Sequence, residues 1–153
     1  MKSVEISWRP GTARFVAHGA SGATVTIAAP DEPDGTPLDD GLHGRAAGAG
    51  PAELLLVAGG TCAAWDVVGI LRKARQEITA IDVAVDSEQD SEAPWTFRRV
   101  ALRFTVRGHG LAVPAVERAV ALSVERYCSV LSTVAAAAAI EHATTVVEDP
   151  EAA

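Results

Sequence analysis

The residues in this chain that could do chemistry are two cysteines, Cys62 and Cys128. A cysteine becomes a nucleophile when its thiol ionises, and two neighbouring thiols can be oxidised to a disulfide and reduced again. Each cysteine alone also suits a protein core, because free cysteine is among the most buried residue types. Sequence alone does not bring the two within the Cα separation of about 6 Å that a disulfide requires.

Cys62 lies within the strongest helical signal, which predicts a helix from Pro51 to about Gln76. Proline suits the first helical position, an acid in the first turn suits the helix dipole, and basic residues crowd the other end. The apolar residues cover more than one face of this helix, so we expect it to be central and buried. They are Leu54, Leu55, Leu56, Val57, Val67, Val68, Ile70 and Leu71.

Cys128 lies where a second predicted helix gives way to a third. Val116, Val120 and Val124 are spaced four apart and indicate the second helix. The stretch SVLSTVAAAAAI predicts a third, shorter helix with Ser129 as its N-cap. The N-terminal end of a helix is electropositive and lowers the pKa of a thiol. Cys128 therefore has a physical reason to be reactive.

The remaining segments predict strands and one long loop. Alternating residues indicate an N-terminal antiparallel meander, two longer strands in ITAIDVAVDSE and FRRVALRFTVRG, and a closing strand in EHATTVVE. Residues 30–50 are rich in Pro, Gly and Asp without an apolar period, which predicts a long loop, and loops of this length often carry function. This order of elements predicts a single α+β domain over residues 1–153, with mostly antiparallel sheet.

Composition narrows the classes of function. Thirteen Lys and Arg against twenty Asp and Glu give a net charge of −7, and the absence of a dense basic block argues against nucleic acid as a partner. The opening residues lack a signal-peptide core, and no apolar run reaches about 20 residues, so we expect a cytoplasmic protein without a membrane segment. The four histidines are not spaced as helical metal ligands, and we expect neither a metal nor a cofactor.

Two stretches, GPAELLLVAGGTCAAWDVVGILRKARQ and AVERAVALSVERYCSVLSTV, together resemble the OsmC/Ohr family of osmotically inducible and organic-hydroperoxide-resistance proteins. The resemblance rests on a Pro-x-Glu-Leu start, a cysteine eleven residues after the proline, Asp-Val-Val, and Tyr-Cys-Ser-Val. It is nearest to the branch with GGxCxAxDVV and YCSV, rather than to peroxidases with Cys-Pro-Val at the second cysteine. The resemblance implies an intertwined homodimer, with two long helices packed centrally, sheets around them, and sites at the subunit interface.

The resemblance also implies thiol peroxidase chemistry on organic or hydrogen peroxides. Cys62 would be the peroxidatic thiol and Cys128 the resolving thiol, with an external dithiol as the reductant. We also expect Cys62 to be the more buried of the two. The alternative is a binding module of the same fold, whose interface pocket holds a small apolar ligand or a reactive electrophile without turnover.

The family's glutamate, one of two residues that hold the thiolate, has a displaced counterpart here. It usually follows the proline directly, but that place is Ala52 and the acid comes one later, at Glu53. Glu53 is nine positions before Cys62, about 13 Å of helical rise. It would reach that thiol only through bending at Gly59-Gly60 or from the partner subunit. Alternatively, Glu53 is simply a first-turn acid that suits the helix dipole.

The family's arginine has two candidate counterparts, neither in a matching motif. Arg45 in the long loop is preferred, because a mobile loop can bring a guanidinium to a buried thiol, and Arg14 on the second strand is the alternative. Asp66, four residues after Cys62, shares its helical face. It would either oppose thiolate formation by like charge or serve as a hydrogen-bonded structural acid at the dimer core.

Overall fold

The structure, a computed structural model, describes residues 3–7, 14–28 and 49–150. The chain divides into two compact units, residues 1–55 and 56–153. The single domain therefore stays a prediction. The predicted long loop lies outside the described residues except at its last two positions.

The first unit contains the predicted N-terminal meander. Its strands are β1 (Val4–Ser7), β2 (Arg14–Gly19) and β3 (Thr24–Ala28), and β2 pairs antiparallel with both neighbours. Gly22 occupies the turn between β2 and β3 with a φ of 84°, which a residue without a Cβ adopts readily.

Helix α1 (Pro51–Lys73) begins where the sequence predicts and ends three residues before the predicted Gln76. The cause is a Schellman-type end, in which Arg75 adopts a left-handed φ of 57°. The amide of Gln76 donates to the carbonyl of Leu71, and the amide of Arg75 donates to that of Arg72. These bonds satisfy the last carbonyls of the helix and turn the chain into the next strand.

The expectation that α1 is buried on more than one face is wrong for the single chain, because its buried positions form one stripe. They are Gly59, Gly60, Ala63, Val67 and Leu71. Other apolar side chains of α1 are exposed, above all Trp65, at 80%. By length and composition α1 could cross a membrane, a test that the core helix of a soluble protein also passes.

The second unit contains a mixed sheet in the order β4 (Glu77–Gln89), β5 (Phe97–His109) and β6 (Ala139–Glu148). Strands β4 and β5 are antiparallel, as predicted, but the closing strand β6 runs parallel to β5. Parallel pairing follows from the connection, because a chain that returns through helices can re-enter the sheet in the same direction. The α+β class is confirmed, with one parallel pair in an otherwise antiparallel set.

The connection from β5 to β6 contains three helical pieces. They are α2 (Val113–Leu122), a π-helical turn (Ser123–Tyr127) and α3 (Ser129–Val134). Two details differ from the predictions. The N-cap of α3 is Cys128 rather than Ser129, and the alanines after Val134 form a turn that leads into β6, so pairing of the strand overrides their helix propensity.

The core of the second unit lies where the helices pack on one face of the sheet. The predicted valine stripe of α2 is buried there, together with the stripe of α1 and alternate residues of β5. The β5 residues are Val100, Leu102, Phe104 and Val106. The other face of the sheet is charged: Arg99 bonds to Glu88 and Glu141 across neighbouring strands, and Arg103 bonds to Asp86.

Candidate functional site

The two cysteines, 66 positions apart in sequence, meet where α1 packs against the junction of the π-helical turn and α3. Both thiols are free, and both belong to the same apolar cluster. Cys62 is half-buried, whereas Cys128 is only 1% exposed. The expectation that Cys62 is the more buried thiol is therefore wrong in the single chain. Cys128 is deeper because it sits at the inward-facing start of α3.

Two glycines let the helices approach closely at this point. A Cβ added to Gly59 would lie 3.1 Å from the Leu131 side chain of α3, and one added to Gly60 would lie 2.9 Å from the Val85 side chain of β4. The second distance is shorter than van der Waals contact permits. The two glycines before Cys62 therefore allow α1 to pack closely against α3 and β4.

The Cys128 thiol caps α3 and also contacts α1. Its Sγ accepts a hydrogen bond from the amide of Leu131 at 3.4 Å and donates a long one to the carbonyl of Gly59 at 3.8 Å. An N-cap acceptor satisfies one of the free amides at the start of a helix, a role that serine or aspartate more often fills.

The environment raises the pKa of the Cys128 thiol from an ordinary value of 9.0 to about 11. Burial is the largest cause, because it penalises the charged form. The amide of Leu131 acts in the opposite direction, as the sequence predicted for a helix N-terminus, but it does not prevail. The expectation of a thiol activated by the start of α3 is therefore wrong.

Cys62 also helps to raise the pKa of Cys128, because a negative charge on Cys62 opposes ionisation of its neighbour. A thiolate on Cys62 thus favours a protonated Cys128. Such an arrangement can hold one ionised and one neutral thiol side by side, which is the starting state for two-step thiol chemistry.

Asp66 continues the Cys62 face of α1 by one helical turn. Its Oδ2 atom is buried and has no hydrogen-bond partner within residues 49–150 or the described strands. The Asp66 residue also lines a pocket of about 690 Å³ that opens beside the π-helical turn. The lining residues are Trp65, Asp66, Gly69, Ile70, Lys73, Leu122 and Tyr127. The hydrogen-bonded role predicted for Asp66 would need a donor from outside the described chain.

Of the remaining predicted residues, only Glu53 has a described side chain. Glu53 is exposed in the first turn of α1, where its carboxylate accepts a hydrogen bond from the amide of Gly50 at 2.7 Å, an arrangement that suits a helix start. Arg45 lies outside the described residues. Arg14 lies in β2, but its side chain is likewise outside the description. Among the described residues no group of three or more His, Cys, Asp or Glu could hold a metal.

Sequence reasoning missed Ser123, a fully buried residue at the start of the π-helical turn. Its hydroxyl donates a hydrogen bond to the carbonyl of Ala63, the residue after Cys62, at 2.9 Å. One signal was present: Ser123 follows Val120 by three positions, on the buried face of α2, where a hydroxyl requires a partner.

Comparisons with known proteins identify the family of this chain. A family model described as OsmC-like protein matches residues 43–143. Protein YhfA of Escherichia coli strain K12 is 39% identical over 142 residues, which cover 93% of this chain and 96% of YhfA.

Solved structures extend the comparison. A hypothetical protein from Aquifex aeolicus VF5 has a TM-score of 0.79 and 27% identity, with 98% of each chain covered. The organic hydroperoxide resistance protein OhrB of Bacillus subtilis has a TM-score of 0.59 at 14% identity, with 95% of this chain and 98% of that chain covered. At that identity the second likeness concerns the fold alone.

Proposed function

Because this chain belongs to the OsmC-like protein family, as the resemblance predicted, we propose that it is a thiol peroxidase that uses Cys62 and Cys128. The family and its hydroperoxide-resistance neighbours indicate a redox role connected with peroxides. The observation that carries the specific proposal is that two free thiols belong to one apolar cluster, where Cys62 adds to the raised pKa of Cys128.

In the first step, the Cys62 thiolate attacks the outer oxygen of a hydroperoxide. An S–O bond forms, the O–O bond breaks, and the departing alkoxide takes up a proton and leaves as the alcohol. Cys62 is then a sulfenic acid, oxidised by two electrons. The more exposed thiol suits this step, because the peroxide must reach its sulfur.

In the second step, Cys128 attacks the sulfenic sulfur of Cys62. The S–S bond forms, and the sulfenic hydroxyl leaves as water with the proton of the Cys128 thiol. An external dithiol then reduces the disulfide by thiol–disulfide exchange. The raised pKa of Cys128 keeps this thiol neutral during the first step. Oxidation of Cys62 removes the negative charge that contributes to the shift.

We further propose a homodimer in the cytoplasm, with the uncovered face of α1 as the contact between subunits. That face contains Val57 and Trp65, and it surrounds a shallow apolar pocket of about 380 Å³ beside Val68. The opposite surface of the second unit is the ion-paired sheet, which is suited to water. An apolar surround favours organic hydroperoxides over hydrogen peroxide, and Arg45 or Arg14 and Glu53 would complete the site within the dimer.

The second candidate function is the binding of a small apolar ligand or electrophile without turnover. The pocket beside Asp66 favours it, because its walls combine apolar side chains, such as Trp65 and Ile70, with polar ones, such as Lys73, and this mixture suits a small organic molecule.

Peroxide consumption in the presence of dithiothreitol separates the two functions. With tert-butyl hydroperoxide, Cys62→Ser should abolish consumption, and Cys128→Ser should permit one turnover and then over-oxidise at Cys62. Thr145→Ala, at an exposed position of β6 away from the thiols, is the control and should keep wild-type activity. Full activity in both cysteine variants would refute the mechanism. The binding function would be favoured if the wild type consumes no peroxide and if titration with tert-butanol changes its tryptophan fluorescence.

A further inference from the structure

We propose that Ser123 is a positioning residue that holds Cys128 in register with Cys62. The inference rests on the proposed function for its biological meaning, but its geometry is independent of peroxide chemistry. Ser123 has no exposed surface, and its hydroxyl reaches across to α1 to bond the carbonyl of Ala63.

The π-helical turn places Ser123 and Cys128 on the same side of the chain. In a regular α-helix, residues five apart differ in direction by about 140°, because each residue turns by about 100°. Here the amide of Cys128 donates to the carbonyl of Ser123 at 2.9 Å, the five-residue spacing of a π-helix. The wider turn brings both side chains to face α1.

Both side chains then engage carbonyls of α1 that are one turn apart. Cys128 contacts the carbonyl of Gly59, and Ser123 contacts that of Ala63. Cys62 lies between those two residues in sequence. The π-helical turn is thus attached to α1 on either side of the reactive position, by one weak sulfur contact and one full-strength hydroxyl bond.

The hydroxyl bond is the element that can set the sulfur geometry. A disulfide requires its two Cβ atoms about 3.5–4.5 Å apart and a torsion near 90°, so a small slide of the turn along α1 opposes bond formation. The long contact from Cys128 to Gly59 disappears when its thiol is oxidised, because the hydrogen is lost. Ser123 keeps its bond in both states and holds the register.

The test measures the effective concentration of the Cys62–Cys128 pair by equilibrium with reduced and oxidised glutathione. Ser123→Ala should lower it by up to about fivefold to tenfold, because the reduced pair can then relax out of register and recover part of the energy of the lost hydrogen bond, whereas the disulfide holds the oxidised pair in place. Ser123→Thr keeps the hydroxyl and should restore most of it. The alanine variant should fold, because the carbonyl of Ala63 still accepts its helical bond within α1; thermal unfolding verifies this.

Thr133→Val is the matched control. The Thr133 hydroxyl also donates to a backbone carbonyl, that of Ser129 at 2.8 Å, but within α3 and without reaching α1. This variant should leave the effective concentration unchanged. An equal value for wild type and Ser123→Ala, or an equal loss in Ser123→Ala and Thr133→Val, would overturn the proposal.

A second readout distinguishes this proposal from the proposed function. After a pulse of tert-butyl hydroperoxide, Ser123→Ala should form the Cys62 sulfenic acid at the wild-type rate and convert it to the disulfide about fivefold to tenfold more slowly, by the same hydrogen-bond estimate. Dimedone trapping followed by mass spectrometry measures both steps. If the wild type does not react with peroxide, but its effective concentration in the glutathione equilibrium exceeds that of Ser123→Ala, the peroxidase function is refuted and the positioning role is supported.

Discussion

Cys128 should titrate far above an ordinary thiol, and removal of Cys62 should lower its pKa. Burial is the largest cause that raises the pKa of Cys128 to about 11, and the interaction with Cys62 adds to it. Cys62→Ala removes the interaction and leaves the burial. The pKa of Cys128 should therefore fall in the variant while staying above the ordinary value.

The size of the wild-type effect follows from ionisation and nucleophilicity. With a pKa of about 11 for Cys128 and an ordinary value of 9.0, roughly one Cys128 thiol in a thousand is ionised at about pH 8, against roughly one ordinary thiol in ten, a difference of about a hundredfold. A thiolate of higher pKa is about eightfold more nucleophilic, because reactivity rises with pKa at a slope near 0.45. Alkylation of Cys128 should thus be about tenfold slower than that of an ordinary thiol, before burial slows it further.

The assay is alkylation by iodoacetamide over a range of pH, read at each cysteine by mass spectrometry. Cys128 in the wild type should show its midpoint near the highest pH at which the protein stays folded, and Cys62→Ala should move that midpoint down. Thr145→Ala, on the exposed face of β6, should leave it in place. A Cys128 midpoint that is the same in wild type and Cys62→Ala would refute the coupling, and a midpoint near pH 9.0 in the wild type would refute the raised pKa itself.

Three further predictions concern the surroundings of the thiols. Light scattering should report a dimer at micromolar concentration, because the face of α1 that contains Trp65 is left uncovered, and a stable folded monomer would contradict this. Arg45→Ala should raise the pH midpoint of Cys62 alkylation while Arg14→Ala leaves it unchanged, since a nearby guanidinium favours the thiolate; the opposite result transfers the role to Arg14. Gly60→Ala should destabilise the fold by about 1–2 kcal/mol, since its Cβ would meet the Val85 side chain, whereas Gly69→Ala on the same helix meets nothing and should not; chemical denaturation measures both.

Much of the fold could be predicted because its signals are local. Proline and an acid mark the start of α1, alternation marks β4 and β5, and a spacing of four marks the buried valines of α2. The parallel pairing of β6 could not be read in this way, because it depends on where the chain re-enters the sheet. The alanines after Val134 were misleading for the same reason, since pairing of Ala139 with Arg99 decides their conformation.

The site was harder to predict than the fold. The two cysteines could be named from the sequence, but which of them is more buried depends on the π-helical turn. This turn adds one residue to a helical repeat, and the apolar pattern of α2 gives no sign of it. Gly59 and Gly60 could be noticed, but their purpose appears only in the contacts with Leu131 and Val85. Nothing in the sequence distinguishes Ser123 from other serines, because its role depends on a hydrogen bond to the carbonyl of Ala63, sixty residues away.

The position of Cys128 constrains the order of the proposed steps. Its amide environment at the start of α3 favours the thiolate, while burial and Cys62 favour the neutral thiol, and the second effect is the larger. If Cys128 attacked the peroxide first, it would have to ionise from a pKa of about 11 at a sulfur that is 1% exposed, beside a more accessible thiol. Attack by Cys62 avoids both costs and removes its own charge as it is oxidised. Cys128 then becomes easier to ionise only after Cys62 is a sulfenic acid, which is the group that the Cys128 thiolate attacks.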